Sequence, residues 1–354
     1  MEPKTIALLF GGRSGEHEVS IRSAVSVADG LSFKHRVRPV FVDKAGRWLL
    51  QDGPVPRGEG GQEVFLPASP TERGRLRRAE DGKVLLEPDL YFPVLHGTFG
   101  EDGTVQGLLE LACVPYVGAG VLSSAAAMDK EAMKALFAQA GLPQVAYRVL
   151  RGRDSAAEAE ALQALGLPVF VKPANLGSSV AVSKVKSPEE LSSALDLALA
   201  YDHKALVEQA AIGPREIEVS VLGNDVLEAS LPGEIVPDRE FYDYDSKYSE
   251  NSRTELKVPA PLSGVEERTI RDLALRAFRA VDARGYARVD FFLEASGRVL
   301  LNEINTIPGF TSISMFPRLW EATGLCYPDL LERLLDLGLE RHKGRSRLKT
   351  DYRP

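Results

Sequence analysis

Two cysteines, Cys113 and Cys326, are all that the 354-residue chain contains, and they lie far apart. They offer neither a disulfide framework nor paired metal-ligand spacing, which fits a reducing compartment. No stretch approaches the ~20 apolar residues of a membrane-spanning helix. TIALLF runs straight into GGRSG, too short an apolar run for a secretory leader. Positive charge is not in excess either. The net charge is −7, whereas a nucleic-acid-binding domain is normally basic. The basic end RHKGRSRLKTDYRP reads as a solvated, frayed terminus. No G-x-x-x-x-G-K-S/T occurs, which excludes a P-loop enzyme, and Glu16-His17-Glu18 lacks the H-E-x-x-H spacing of a zinc helix. There is no internal repeat and no low-complexity segment. A cytoplasmic globular protein without nucleic-acid or membrane partners is expected, with more length than one hydrophobic core usually serves.

What is present predicts mixed α/β and α+β architecture. TIALLF, the Gly-rich GGRSGEHEVS and the spacing of SIRSAVSVADGL read as strand, loop and helix. RVRPVFVD and GRWLL are further strands, residues 51–82 an irregular connection, LYFPVLHG a buried strand and TVQGLLELACV a helix. Residues 1–118 therefore predict a Rossmann-like domain with a mainly parallel sheet. SSAAAMDKEAMKALFAQAGL predicts one strong helix with Gly after its last turn. AYRVL, PVFVKP, VAVSKV and ALVEQA read as strands. SPEELSSALDLALAYD is a helix for which Ser187 and Glu190 offer a capping box. These form a smaller α+β unit, residues 119–212. Residues 213–354 hold the strands REIEVSVLG and DVLEASLPGEIV, a polar Tyr-rich loop, the helix GVEERTIRDLALRAFRAVDA and a hairpin.

That hairpin, RVDFFLEASGRVLLNEIN, carries polar residues where a half-buried strand pair should be apolar. Ser296-Gly297 suits a two-residue loop. Cross-strand partners then sum to 593, so Asp290 faces Glu303 and Arg288 faces Asn305, all on one side. Val289, Phe291, Leu293, Leu300 and Ile304 face the core, with Asn302 the exception. Like charges directly opposite are destabilising. Either a hard divalent ion sits between the acids, or this is a solvated face that Arg288 neutralises.

Other stretches admit two readings each. In PVFVKPANLGSSVAVSKV, Lys172 ends a strand, and Gly177, Ser178 and Ser179 can approach a phosphate. A tight turn with a snorkelling lysine is the alternative. Glu16 and Glu18 would repel an anion from the GGRSGEHEVS loop but suit an ammonium, or they serve the helix dipole. His96 ends a strand where α/β sheets place ligands, although a lone histidine is more often structural. EFYDYDSKYSENSRTE is long enough to be a lid, with Lys247 and Tyr248 its candidate working residues.

Taken in order, GGRSGEHEVS, FPVLHGTFGEDGTVQG, MDK, VKPANLGSSV, YDYDSKY, RVDFFL and NEINTIPGFTSISMFP resemble the D-alanine–D-alanine ligase family of the ATP-grasp superfamily. The resemblance spans about residues 10 to 317 and implies a three-domain ATP-grasp fold, used to make a peptidoglycan dipeptide. It implies two Mg²⁺ ions (Mn²⁺ as substitute) on Asp290, Glu303 and Asn305, with Glu303 bridging. Lys130 and Lys172 would hold phosphates under the Ser178-Ser179 loop. Glu208, Gln209, Ala210, Ala211 and Glu216 would contact adenine and ribose, and Lys247 the γ-phosphate. Glu16 would hold the first substrate's ammonium and His96 would orient that substrate. Gly309 and Ser314 would meet the second substrate, and Arg288 an oxyanion. Ser178, Tyr248 and Glu16 would form a hydrogen-bonded link, and Tyr248 favours an amine over a hydroxyl nucleophile. The substrates are D-alanine and ATP, and a homodimer is expected. Ala181 stands where the family often has Gly, and Phe316 where Tyr is common.

Overall fold

In the computed structural model, residues 2–237, 254–311, 313–349 and 351–352 are described. The first sheet holds β1 (Thr5–Gly11), β2 (Arg36–Val42), β3 (Trp48–Leu50), β4 (Gln62–Phe65), β5 (Leu76–Arg78), β6 (Val84–Leu86) and β7 (Leu90–Pro93). Its order is β6-β5-β4-β3-β2-β1-β7. β1 runs parallel to β2 and to β7, while β2 to β6 form an antiparallel meander. The parallel share is thus smaller than the pattern suggests, although the loops after two of the parallel strands, β1 and β7, are those that reach the cavity. The meander crosses the stretch expected to be irregular. Strands β3 to β6, of three or four residues each, are too short for alternation to register, yet Val64, Leu76 and Leu86 are buried in one cluster.

Helix α1 (His17–Leu31) buries Ala24, Val27, Ala28 and Leu31 against β1. Helices α2 (Thr104–Leu111), α3 (Val121–Met128) and α4 (Lys130–Gln139) follow. The single long helix expected around MDK is broken. Asp129 takes an extended backbone, and its carboxylate accepts from Glu131 N and Ala132 N to cap α4. The break brings Lys130 to the first turn of α4, where its N–H donates to Ala174 O.

The second sheet is antiparallel, with β8 (Tyr147–Leu150), β9 (Val169–Pro173), β10 (Ser183–Val185) and β11 (Ala205–Gln209) ordered β10-β9-β11-β8. Helix α5 (Ser155–Leu165) follows β8, an element the sequence reading omitted; Asp154 caps it through Ala156 N and Ala157 N. Helix α6 (Glu190–Leu199) starts later than expected, and no side chain caps it. Ser187 and Pro188 form a preceding turn, and the Glu190 carboxylate accepts from Lys186 N, so the proposed capping box is absent.

The third sheet holds β12 (Arg215–Gly223), β13 (Leu227–Ala229), β14 (Gly233–Val236), β15 (Glu255–Lys257), β16 (Gly285–Leu293) and β17 (Val299–Asn305). Its order is β15-β14-β12-β16-β17, with β13 also on β12. DVLEASLPGEIV is therefore two strands, interrupted around Pro232, which has no N–H to give a ladder. Helix α7 (Gly264–Ala280) carries a complete capping box from Ser263 and Glu266 and covers one face with Ile270, Ala274 and Phe278. Helices α8 (Met315–Ala322) and α9 (Tyr327–Arg345) close the chain. α9 returns to the first sheet, where Leu330, Leu334 and Leu335 share a core with Ile6, Leu8 and Phe10. Each such buried side chain contributes about 2 kcal/mol. Among the described residues no helix is long and apolar enough to cross a membrane.

The hairpin β16–β17 explains its own anomaly. Arg288 pairs with Asn305, and Asp290 with Glu303, as the sum of 593 requires. Beyond Asp290 the register shifts, with Phe291 opposite Leu301 and Leu293 opposite Val299. The turn is one residue longer than expected, closed by Glu294 and Arg298 with Gly297 at φ 82°. A bulge at Asn302 absorbs the extra residue. Two departures cancel, so the acids still meet. Leu301 and Val299 join Phe291 and Leu293 in one core cluster, while Leu300, buried as expected, faces the other side. Asn302, the exception on paper, is the bulged residue and lines the cavity described next.

Candidate active site

One cavity of about 1560 Å³ is lined by residues of the second and third sheets together with helix α1 and the loops that follow β1 and β7. Every sequence-derived site residue that is described lines it except Glu18, which is exposed and pairs with Lys44; Lys247 and Tyr248 lie outside the described residues. Its size exceeds the few hundred to ~1,000 Å³ of a single small-ligand pocket. It has room for more than one reactant.

Glu16 stands at one end, in the loop after β1. Its Oε1 accepts from the Ser178 hydroxyl, joining the first-sheet loop to the loop between β9 and β10. Its Oε2 rests among glycines: a Cβ on Gly97 would lie 2.9 Å away, and one on Gly177 3.0 Å away. Only residues without side chains let the backbone come so near this carboxylate. Glu101, unremarked in the sequence, accepts from Gly97 N at 2.9 Å. Burial and the neighbouring charge of Glu16 raise its carboxyl well above the usual range, which favours the neutral form.

His96 is 4% exposed and fully engaged. Its Nδ1 lies 2.9 Å from Ile307 O and its Nε2 3.0 Å from Ser23 Oγ. A carbonyl only accepts, so Nδ1 carries the proton and Nε2 accepts from the serine. Burial lowers its pKa, against the pull of Glu16, and keeps the ring neutral. His96 therefore ties the loop after β7 to the loop after β17. In that second loop the Ser314 hydroxyl accepts from Thr311 N at 3.1 Å. Gly309 makes room for it, since a Cβ there would meet Ser314 Oγ at 2.7 Å.

Three lysines gather near Glu208, of which Lys130 and Lys172 line the cavity and Lys134 is buried behind it. Lys130 Nζ donates to Leu176 O at 2.5 Å, Lys172 Nζ is 2.7 Å from Glu208 Oε2, and Lys134 Nζ is 3.2 Å from Glu208 Oε1. Burial lowers the pKa of Lys130 and of Lys134, with nearby carboxylates opposing. Burial pushes Glu208 up, but Lys134 and Lys172 prevail and hold its carboxyl below the usual range. Lys134 went unnoticed in the sequence because a lysine one turn beyond Lys130 reads as solvated. Over this group, Ser178, Ser179 and Ala181 all have positive φ, at 51°, 58° and 56°. The loop is wound so tightly that successive N–H groups can turn to one side, as an anion-binding concavity requires. Glycine is cheapest in such backbone, which accounts for the family preference at position 181.

The facing acids form the floor. β12 adds Glu218 opposite Asp290 and Ser220 opposite Arg288, with Glu216 beyond. Arg288 clamps Asp290, Nε to Oδ1 at 2.7 Å and Nη2 to Oδ2 at 2.6 Å, and its Nε is 3.0 Å from Glu218 Oε2. Asn305 Nδ2 donates to Asp290 Oδ2 at 3.0 Å. Burial works against the guanidinium's charge, but Asp290 and Glu218 outweigh it and raise its pKa further. The Arg288-neutralised face is thus what the structure displays. The donor chemistry nevertheless fits Mg²⁺: two opposed carboxylates and an amide, all hard oxygen donors, at the wall of a cavity. Among the described residues no three His, Cys, Asp or Glu side chains form a ready-made cage. A cation here must complete its shell from phosphate and water, as Mg²⁺ in nucleotide sites does.

Beyond the lysines the wall turns apolar, with Pro168, Phe170, Ala210, Ala211, Ile212 and Phe292 beside Gln209 and Glu216. A flat base with a ribose at its edge matches this wall, while the glycine-lined carboxylate end suits a small zwitterion.

Comparison with known proteins places the chain in a family. Residues 5–119 match the D-ala D-ala ligase N-terminus family and residues 136–336 the D-ala D-ala ligase C-terminus family. A D-alanine--D-alanine ligase of Heliobacterium modesticaldum is 51% identical over 369 residues, covering 100% of both chains. One from Bacillus pumilus is 46% identical, covering 98% of this chain and 99% of that one. Among solved structures, the D-alanine-D-alanine ligase from Coxiella burnetii superposes with a TM-score of 0.85 at 36% identity, over 98% of this chain and 97% of the other. VanG D-Ala:D-Ser ligase from Enterococcus faecalis does so at 0.85 and 33%, over 95% and 100%. The chain belongs to the D-alanine–D-alanine ligase family, ATP-dependent enzymes of the ATP-grasp fold.

Proposed function

We propose that the chain joins two D-alanine molecules into D-alanyl-D-alanine for peptidoglycan, converting ATP to ADP and phosphate through an acyl phosphate. The adenine lies on the Phe170 and Phe292 wall against the 209–211 backbone, with Glu208 beside it and the ribose at Glu216. The phosphates run under the Ser178-Ser179 loop to Lys130 and Lys172. Mg²⁺, held by Asp290, Glu303 and Asn305, supplies charge neutralisation at the transferring phosphoryl group.

Glu16 receives the first D-alanine's ammonium in its glycine-lined cradle. The substrate's carboxylate is thereby aimed along the cavity at the γ-phosphorus. A carboxylate oxygen forms the new bond to phosphorus as the bond to ADP breaks. The second D-alanine's amine attacks the acyl carbon, and its carboxylate is received near Gly309 and Ser314. Arg288 faces the oxyanion that develops; the oxyanion collapses and inorganic phosphate leaves. His96 contributes by fixing the two loops that shape the first-substrate end. The same reading assigns Lys247 and Tyr248 to the closing side, two metal ions with Mn²⁺ as a substitute, domain boundaries near residues 118 and 212, a homodimer and a cytoplasmic setting.

One observation carries this reading: the Glu16 carboxylate in its glycine cradle, Lys130 and Lys172, and the opposed pair Asp290 and Glu303 all line one cavity. The test is phosphate release from ATP with and without D-alanine, paired with mass detection of the product. D-alanine-dependent release with one dipeptide per phosphate is expected. ATP binding without such release identifies a regulatory nucleotide-binding protein instead. The D-Ala:D-Ser neighbour favours a second reading in which another second substrate is used; D-serine and D-lactate as competitors in the same assay decide it.

A further inference from the structure

Arg288 occupies both oxygens of Asp290, through Nε and Nη2. A carboxylate clamped in this way has little left for a cation, and Asn305 presents its NH₂ to the same group. Oδ1 keeps one lone pair, but the guanidinium's charge stands beside it, so ligation by Asp290 is opposed until Arg288 lets go. The guanidinium is only 20% exposed, so leaving it without a counter-ion would be costly. Glu218 stands ready. It is the direct cross-strand partner of Asp290, its side chain is 8% exposed, and its Oε2 is already 3.0 Å from Arg288 Nε. A small rotation of the guanidinium about its Nε end exchanges one carboxylate for the other.

Resting on the proposed cation site, we infer that Glu218 is a positioning residue that takes Arg288 from Asp290 when the cation arrives. It frees Asp290 to bind metal and holds Arg288 beside the reacting carbon. Cation binding and placement of the oxyanion-facing arginine thus become one event. The alternation Glu216-x-Glu218-x-Ser220 points all three toward the acid face. Only Glu218 is level with Asp290.

The test is Mn²⁺ affinity, followed by loss of the free-ion paramagnetic resonance signal, in the full chain with adenosine 5′-(β,γ-imido)triphosphate bound. No turnover is involved. Glu218→Asp keeps the charge but shortens the arm, and Glu218→Gln keeps the length but removes the charge. Both are expected to weaken Mn²⁺ about tenfold, the scale of coupling within one ion-pair network, with nucleotide affinity in the absence of Mn²⁺ unchanged. In an Arg288→Met background the Glu218 changes should have no further effect, because no guanidinium needs receiving. Wild-type Mn²⁺ affinity in Glu218→Asp, or an undiminished Glu218→Gln effect in the Arg288→Met background, overturns the handover and leaves simple charge attraction. If Asp290→Asn also binds Mn²⁺ like the wild type, the cation site itself is wrong. Glu218→Asp removes no charge from the interior, so it answers the question even if Arg288→Met does not fold.

Discussion

Gly177→Ala probes the cradle around Glu16. A Cβ at Gly177 would sit 3.0 Å from Glu16 Oε2, where ordinary contacts begin at 3.4 Å. The carboxylate must retreat by about 0.4 Å while the Ser178 hydroxyl holds its other oxygen. Misplacement by 1 Å in a site of this kind costs about 10²-fold, so roughly tenfold is expected here. The loss should fall on kcat/KM for the first D-alanine, with KM for ATP unchanged, because Glu16 both binds the ammonium and aims the carboxylate. Steady-state ADP release against each substrate separates these terms. Gly97→Ala is the contrasting variant. Its Cβ would lie 2.9 Å from the same oxygen, and its φ of +76° adds backbone strain of about 1–2 kcal/mol. It should lower kcat/KM for D-alanine and also lower Tm, whereas Gly177→Ala should do only the former. Unaltered kcat/KM for D-alanine in Gly177→Ala would refute the ammonium role of Glu16. A matching rise in KM for ATP would show that the whole loop had moved.

Glu303→Gln and Asp290→Asn should each abolish turnover with the fold kept, Asp290→Asn also lowering Tm because Arg288 is left with Glu218 alone; wild-type rates at saturating Mg²⁺ contradict the metal assignment. Lys134→Met leaves Glu208 with Lys172 alone, and should cost about 3 kcal/mol by chemical denaturation. Adding Glu208→Gln should recover part of that loss, and full additivity would show that the pair is not coupled. Lys204 is 7% exposed and 2.6 Å from Asp129 and 2.8 Å from Glu131. Burial raises Asp129, but its hydrogen bond to Lys204 prevails, while Glu131 is lowered first by Lys204 and then by Arg151. Carboxyls lowered in the folded state contribute stability above their ordinary values of 3.8 and 4.5, and lose it as pH falls through the lower folded values. Lys204→Met should therefore cost about 1–2 kcal/mol near neutral pH, and the gap should close below about pH 4.5. A gap that widens in acid contradicts the sign.

The site was more legible in the sequence than the scaffold. The facing of Asp290 and Glu303 follows from alternation alone, and it survives because the longer turn and the bulge at Asn302 offset each other. The same cancellation misplaced Leu300, whose face depends on where the extra residue sits. Asp129 breaks a strongly helical pattern because its side chain caps α4 and meets Lys204, a partner 75 residues away that local pattern does not reveal. Residues 51–82 looked irregular because strands of three or four residues owe their existence to the neighbours that pair with them. Glu218 could have been found, since it alternates with Glu216 and Ser220. Glu101 and Lys134 could not, because only burial distinguishes them from solvated charges.

The central chemical claim is that a D-alanine carboxylate oxygen bonds to the γ-phosphorus before the peptide forms. Turnover of D-alanine labelled with ¹⁸O in its carboxyl group, with mass analysis of the released phosphate, tests it directly. One ¹⁸O per phosphate is predicted for each dipeptide made. Unlabelled phosphate, released at the same rate as the dipeptide, would contradict the account.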